Sequence, residues 1–332
     1  MVVTTGAGRG YSFTCLPRTA IRIADRHRNG APAAPKGWFC YDTGCASPAV
    51  PSLRIDLHTH STCSDGVLTP AALVRRAASR QVSLLALTDH DDVSGLEEAA
   101  SESRATGIRF ATGVEVSVTW FGQVVHVLGL GIDPSHPGLR DGLRQLRTSR
   151  EARALRIAKQ LDDAGISGSL EGASRHALNP ATIGRGHFAR YIVEQGLARN
   201  VQDVFKRYLA AGKPGFVPHQ WADLGEAVGW IRASGGHAVL AHPERYKLSR
   251  ARLRALFQQF KELGGTGMEI GVGARMNPLP QLHLARSHGF AVSVGSDFHS
   301  PVEGATDLGD TAQIPSGYPV VWDLLAYMPA AA

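Results

Sequence analysis

Two histidines flank a single residue in Asp56-Leu57-His58-Thr59-His60. On an extended chain, side chains two positions apart project to the same side, so both imidazoles can reach one metal ion. A buried structural pair would look the same, and the neighbours decide between them. Asp65-Gly66 follows, then Thr88-Asp89-His90-Asp91, Glu115, His126, Ala241-His242-Pro243 and Gly295-Ser296-Asp297-Phe298-His299. Each supplies a nitrogen or oxygen donor in or just after an apolar, β-rich run. In βα barrels the carboxyl ends of the strands are where catalytic groups gather, so position and chemical type agree independently.

The runs that would position these donors are Leu53 to Leu57, Leu84 to Leu87, Phe110 to Val118, Val124 to Leu130, Ala238 to Ala241, Gly267 to Val272 and Ala291 to Val294. Between them, apolar residues recur at helical spacing over Pro70 to Ser79, Ser94 to Thr106, Leu224 to Ala233 and Arg250 to Leu263. Strand followed by helix, repeated, predicts an α/β barrel with a largely parallel sheet. Residues 139–213 break the rhythm: Leu143, Leu146, Leu155, Ile157 and Leu161 keep a helical period, and a second helical stretch lies around Phe188 to Leu197. This predicts a helical subdomain inserted over residues 139–213, capping a barrel made of 53–138 and 214–310, with a tail over 311–332. Residues 1–52, rich in Gly, Pro, Ala and Arg without periodicity, are expected to be poorly ordered.

Composition narrows the function classes. The net charge is +6, but the first 52 residues carry six Lys or Arg against two Asp or Glu and so supply +4 of it. The body lacks the basic excess of a generic nucleic-acid binder, while an anionic small substrate stays open. The four cysteines, Cys15, Cys40, Cys45 and Cys63, form no Cys-x-x-Cys pair. A disulfide framework is not expected. No apolar run reaches the roughly 20 residues that span a bilayer. The expectation is a soluble cytoplasmic protein with no membrane contact and no obligatory protein partner.

The motifs at Asp56 to His60, Ser64-Asp65-Gly66, Thr88 to Asp91, Glu115, His126, His242 and Asp297 to His299 resemble those of the polymerase and histidinol phosphatase (PHP) superfamily, over about Leu53 to Asp307. Within it the chain looks similar to small phosphoesterases related to nucleoside 3′,5′-bisphosphate phosphatase and ribonuclease AM, through Thr182-Ile183-Gly184-Arg185, Gly212-Lys213-Pro214 and Ala241-His242-Pro243-Glu244-Arg245-Tyr246. The resemblance implies a distorted (β/α)7 barrel with a trinuclear metal site. It implies that His58, His60, Glu115 and Asp297 hold one ion, that Glu115 bridges to a second held by His126 and His242, and that Asp65, His90 and His299 hold a third. Such mixed shells suit Mn²⁺, Fe²⁺ or Zn²⁺ and argue against Ca²⁺. Bound metal lowers the pKa of water from 15.7 towards about 7. The expected nucleophile is therefore metal-bound hydroxide, with no attacking side chain.

Arg185, Arg190, Lys213 and Arg245 are candidates for phosphate contacts, with solvated surface cations as the alternative. Gly186 stands where relatives often have Pro. His187, His219 and His237 are expected to be structural; Asp89 and Asp91 either orient imidazoles or cap local turns, and Glu269 either supports the site or forms a structural ion pair. The resulting expectation is hydrolysis of a nucleotide phosphate ester, in its specific form the 3′-phosphate of 3′-phosphoadenosine 5′-phosphate. A 5′ to 3′ exoribonuclease acting on short RNA, a histidinol phosphatase and a noncatalytic metal-binding module are the alternatives. Nothing after Asp307 is long enough for a polymerase domain, which weighs against the last.

Overall fold

The computed structural model describes residues 53–177, 179–271, 277–302 and 306–325, so the expectation about residues 1–52 lies outside the described residues. Seven strands, β1 (Ile55–Asp56), β2 (Leu84–Leu87), β3 (Arg109–Trp120), β4 (Gln123–Leu130), β5 (His237–Leu240), β6 (Gly267–Glu269) and β7 (Ala291–Ser293), form one sheet in sequence order. Beyond β1 and β7 the chain continues side by side: Leu57 N donates to Val294 O, Asp297 N to His58 O and His60 N to Phe298 O, at 2.9 to 3.0 Å. These bonds close the sheet into a distorted barrel.

Strict strand and helix alternation fails at one place. β3 and β4 are joined by Phe121 and Gly122 alone, with φ of 45° and 75°. A two-residue connection can only reverse the chain, so β4 runs antiparallel to both β3 and β5 while the other pairs are parallel. The reversal matters for the site: the beginning of β4, not its carboxyl end, lies where the other strands finish. His126 therefore reaches the same mouth from the opposite direction.

The helices α1 (Pro70–Ser79), α2 (Leu96–Thr106), α7 (Leu224–Ala233) and α8 (Arg250–Glu262) fall where periodicity placed them, within two residues at each end. α1 begins where it does because Thr69 accepts from Ala72 N at 3.2 Å and Pro70 fills the first helical position, whose N–H would be unsatisfied anyway. α9 (Leu279–Ser287) was not anticipated, since Pro278 and Pro280 interrupt its apolar spacing. No described helix is long and apolar enough to cross a membrane.

Between β4 and β5 come α3 (Pro137–Asp163), α4 (Ser169–Ser174), α5 (Arg185–Glu194), α6 (Val201–Val204) and a π-helical turn over Phe205–Leu209. α3 serves two hydrophobic clusters. Leu139, Leu143 and Leu146 pack with the barrel core, whereas Ile157 and Leu161 join Phe188, Ile192, Val204, Leu209 and Val217 in a separate one. Leu155, expected among the periodic core positions, faces outwards. Gly142 is the point of closest approach of α3 to α7, since a Cβ there would stand 2.5 Å from the Trp230 ring. Overpacking of this kind costs roughly 1–3 kcal/mol, so Gly142→Val is expected to lower Tm by several degrees in a thermal melt. An unchanged Tm would show that the two helices are not in firm contact.

The segment expected as a tail is partly built in: Val292 N donates to Pro319 O at 2.8 Å, and Val321 is buried in the barrel core.

Candidate metal centre

His58 and His60 leave β1 with both Nε2 atoms aimed inwards, 3.1 Å apart. Each stands 3.3 to 3.4 Å from Oε2 of Glu115 and 3.2 to 3.3 Å from Oδ1 of Asp297. Four donors placed about 2.0–2.1 Å from a common centre in tetrahedral array lie about 3.3–3.4 Å from one another, as Zn²⁺-type ligands do. The histidine–histidine and histidine–carboxylate distances approach that value, and the donor atoms of His58, His60 and Asp297 lie close enough together to form one candidate group, which Glu115 does not join.

The rest of the cluster is built outwards from Glu115, in the middle of β3. Its Oε1 lies 2.9 Å from His126 Nδ1 and 3.1 Å from His242 Nε2, and its Oε2 lies 2.9 Å from His90 Nδ1. Asp65 Oδ1 lies 3.2 Å from His299 Nε2 and 3.9 Å from His90 Nε2, and His299 stacks on His60 at 4.2 Å between ring centroids. All nine expected donors thus come together at one mouth of the barrel. They fall into four overlapping groups: His58, His60 and Asp297; His58, Glu115 and His242; His90, Glu115 and His126; and His60, Asp65, His90 and His299. Each group shares a residue with two of the others, and His126 and His242 both face Glu115 but group with different partners.

Several of these atoms, among them Asp65 Oδ1, Glu115 Oε2, His90 Nδ1 and His126 Nδ1, are buried without a hydrogen-bond partner. Buried polar atoms are nearly always satisfied, so adjacent, unbonded donor atoms here fit a set of ligands. Burial by itself would raise the Glu115 carboxyl, but the imidazoles of His126, His90 and His58 hold it well below the usual carboxylate range. Asp297 and Asp65 are held low by His58 and His299 in the same way. Burial and the neighbouring His299 push His60 down to about 3. Opposing its burial, Asp65 and Asp297 lift His299 to about 9. The imidazoles thus divide into neutral and charged members around anionic carboxylates.

Supporting residues fix the donors. Glu269, from β6, accepts from His58 Nδ1 at 3.0 and 3.1 Å and from the His242 backbone N–H at 2.8 Å. One carboxylate therefore sets both the His58 ring and the turn carrying His242, whose φ of 29° is strained for a non-glycine residue. Gly295 permits this packing, since a Cβ there would meet the His58 side chain at 2.3 Å and Glu269 Oε1 at 2.6 Å. Asp89 orients no imidazole directly; it accepts from Ser61 N, Ser61 Oγ and Ser64 Oγ at 2.5 to 2.7 Å, clamping the loop that presents Asp65. Asp91 accepts from Ser117 N at 2.7 Å and pairs with Arg150. Glu269→Gln keeps the volume and one acceptor but loses the charge that fixes His58. Changing such a carboxylate partner typically costs 10–100-fold in metal affinity or activity, and a loss of that size is expected in a metal titration; an unchanged titration would refute the role.

The donors open into a cavity of about 710 Å³, within the range of small-molecule sites. Of the expected phosphate contacts, Arg185 and Arg245 line it, whereas Arg190 and Lys213 do not. Arg185 lies over the Phe205 ring at 5.5 Å, and Arg245 pairs with Asp297. Gly186 also lines it, and a Cβ there would stand 2.8 Å from Asp65 Oδ2.

Two cations escaped the sequence reading. Arg150 and Arg153, both buried on α3, line the cavity over the Trp221 ring at 4.7 and 5.5 Å. Burial and the charges of Arg185, Arg150 and Arg156 pull Arg153 down to about 9. A signal was present: Arg144, Arg147, Arg150, Arg153 and Arg156 recur every third residue along one helix. His219 also lines the cavity, 2.7 Å from Ser149 Oγ, whereas His187 is buried and accepts from Gly184 N at 3.0 Å. His237 lies outside the cavity, at 3.1 Å from Leu324 O.

Comparison with known proteins points the same way. The model of the PHP domain matches residues 56–217. A 3′,5′-nucleoside bisphosphate phosphatase from Chromobacterium violaceum is 47% identical over 273 residues, covering 81% of this chain and 95% of that protein. The 5′-3′ exoribonuclease Rnm of Salmonella typhimurium is 45% identical over 271 residues, covering 80% of this chain and 92% of Rnm. An amidohydrolase from Chromobacterium violaceum, solved with bound sulfate and no metal, superposes with a TM-score of 0.80 at 44% identity, over 84% of this chain and 98% of that one. With its donor residues converging at the mouth of a seven-stranded barrel, this chain belongs to the PHP domain family.

Proposed function

We propose that the protein is a metal-dependent phosphoesterase that removes the 3′-phosphate of nucleoside 3′,5′-bisphosphates such as 3′-phosphoadenosine 5′-phosphate. One observation carries it: seven of the nine donors, together with Arg150, Arg153 and Arg185, line a single cavity. A sugar bearing two phosphates can present one to each. Arg matches phosphate oxygens with a planar fork of donors, and the Trp221 ring beneath Arg150 and Arg153 holds those forks in place before the ligand arrives. The apolar wall at Phe216 and Val124 is where a base would lie. The named relatives, a bisphosphate phosphatase and an exoribonuclease, support this reading over a histidinol phosphatase or a noncatalytic module. The exoribonuclease keeps trimming of short RNA as a second reading of the same site.

His58, His60, Glu115 and Asp297 would hold one ion, Glu115 with His126 and His242 a second, and Asp65, His90 and His299 a third, with Mn²⁺ favoured and Fe²⁺ or Zn²⁺ compatible with the same nitrogen and oxygen donors. Ions bound there neutralise phosphate charge and make water a nucleophile at neutral pH. Glu269 keeps the His58 ring oriented, and Arg245, at the cavity wall beside Asp297, can donate to an oxygen of the scissile phosphate. Residues 139–213 act as a cap, since Arg150, Arg153 and Arg185 all come from them.

Arg153→Met tests the assignment, because it keeps the apolar stem over Trp221 and deletes the charge. Hydrogen bonds to charged groups are worth about 1.5–3 kcal/mol, so KM for 3′-phosphoadenosine 5′-phosphate is expected to rise about tenfold or more. Turnover of p-nitrophenyl phosphate, which has no second phosphate, should change little. Equal losses on both substrates would sink the two-phosphate reading.

A further inference from the structure

The ladder between β4 and β5 is interrupted at one bond, and the interruption lies beside two donors. The register pairs Val127 with Leu240, so His126 stands opposite Ala241, the residue before His242. Opposed residues of a hydrogen-bonded antiparallel pair exchange two bonds. Ala241 N donates to His126 O at 3.1 Å, but a hydroxyl is inserted into the return bond: His126 N donates to Tyr246 Oη at 2.9 Å, and Tyr246 Oη donates to Ala241 O at 2.6 Å, with His126 O farther off at 3.3 Å. The N–H and C=O of this pair therefore stand two hydrogen bonds apart instead of one. A 3-10 turn over Pro243–Arg245, closed by Arg245 N donating to His242 O at 2.9 Å, folds the chain back to deliver the hydroxyl. The Tyr246 ring packs against the barrel core and meets His242 edge-on at 5.7 Å and 79°. His126 Nδ1 and His242 Nε2 reach Glu115 Oε1 at 2.9 and 3.1 Å, with their rings 5.3 Å apart at 76°.

We propose that the Tyr246 hydroxyl is a spacer that positions His126 and His242 about Glu115, and so sets the affinity of the metal ion to which His242 contributes. It touches no donor atom and acts through the backbone of both strands, which makes Tyr246 a positioning residue. The proposal rests on the metal-dependent phosphoesterase reading and adds a residue that the donor set does not include. Without the hydroxyl, His126 N–H and Ala241 C=O either pair directly and draw the strands together or stay buried without partners, which is costly. Both outcomes shift the two imidazoles relative to the carboxylate they share.

Tyr246→Phe deletes one oxygen and keeps the ring. In Mn²⁺ titrations of the full chain, read by the electron paramagnetic resonance signal of the free ion, His242→Ala is expected to abolish one equivalent of binding. Tyr246→Phe should weaken that same equivalent about 10–100-fold, as loss of a group supporting a ligand does, and leave the rest unmoved. Gly142→Val, which loosens the contact of α3 with α7, should leave the titration unchanged, so that lost stability alone does not produce the effect. Unchanged affinity in Tyr246→Phe, equal weakening of every equivalent, the same shift in Gly142→Val, or a His242→Ala chain that binds as the parent does overturns the proposal. Turnover separates it from the phosphoesterase reading: a parent chain that binds Mn²⁺ yet releases no phosphate from 3′-phosphoadenosine 5′-phosphate removes that reading, while the titration still decides the spacer. A parent chain that binds no Mn²⁺ removes both.

Discussion

Glu115→Gln is expected to lower kcat at least about a thousandfold, equivalent to about 4 kcal/mol of lost transition-state stabilisation. The reason lies in how many groups meet at one carboxylate. Oε1 faces His126 and His242, and Oε2 faces His58, His60 and His90. The side chain is buried on β3 between Val114 and Val116, and the amide is nearly the same size, so the strand should survive. What is lost is the negative charge that belongs to two of the four donor groups and touches a histidine in each of the other two. An amide offers one neutral oxygen, and its NH₂ would point at imidazole nitrogens needed for binding. Metal content by elemental analysis should fall along with activity, while circular dichroism stays unchanged. His237→Ala is the control, since that ring contacts Leu324 O away from the cavity, and its activity should be retained. Activity of Glu115→Gln within tenfold of the parent would mean that the cluster is not the reaction centre.

The donors were legible because each sits beside a strand, and strands of apolar residues are easy to delimit. His58 and His60 declare themselves by spacing, Asp297 and His299 likewise, and Leu84 to Leu87 is an unbroken apolar run, buried throughout as a strand covered on both faces must be. The direction of β4 was not legible from its apolar pattern, which is the same in either sense; it follows from the length of the Phe121-Gly122 turn. The supporting residues were harder for another reason. Glu269 and Asp89 act on partners 211 and 28 positions away in the chain, so no local spacing relates them to the histidine or serine they hold.

Substrate contacts were the least legible. Arg190, and Lys213 within its Gly212-Lys213-Pro214 stretch, do not line the cavity, while Arg150 and Arg153 do. On a helix of 27 residues, the three-residue spacing marks a row of arginines but not which of its members turn inwards. The answer depends on α3 running from the barrel core into the second cluster, which places its middle turns over the mouth. Trp221 then decides the matter by offering its face to two of the guanidiniums.

Stripping divalent ions with a chelator is expected to lower Tm by about 10 °C and abolish turnover, with both restored by adding Mn²⁺. A ligand that binds the folded chain alone stabilises it by about 4.1 kcal/mol at a thousand times its Kd. Each kcal/mol moves Tm by roughly 2–4 °C in a protein of this class of size. The imidazoles crowded against Glu115, Asp65 and Asp297 hold those carboxyl groups low, which keeps them anionic and able to bind a cation. Binding ions requires those imidazoles to be neutral, so loading releases protons and should weaken as pH falls. The Mn²⁺-dependent gain in Tm is therefore expected to be larger at pH 8 than at pH 6, the sign being set by proton competition for the same nitrogens. Asp297→Asn, which removes one donor charge and leaves the barrel strands intact, should shrink the gain at both pH values. If chelation leaves Tm and turnover unchanged, the nine converging side chains are a self-satisfied network of ion pairs, and the chemistry of this barrel has to be sought without metal.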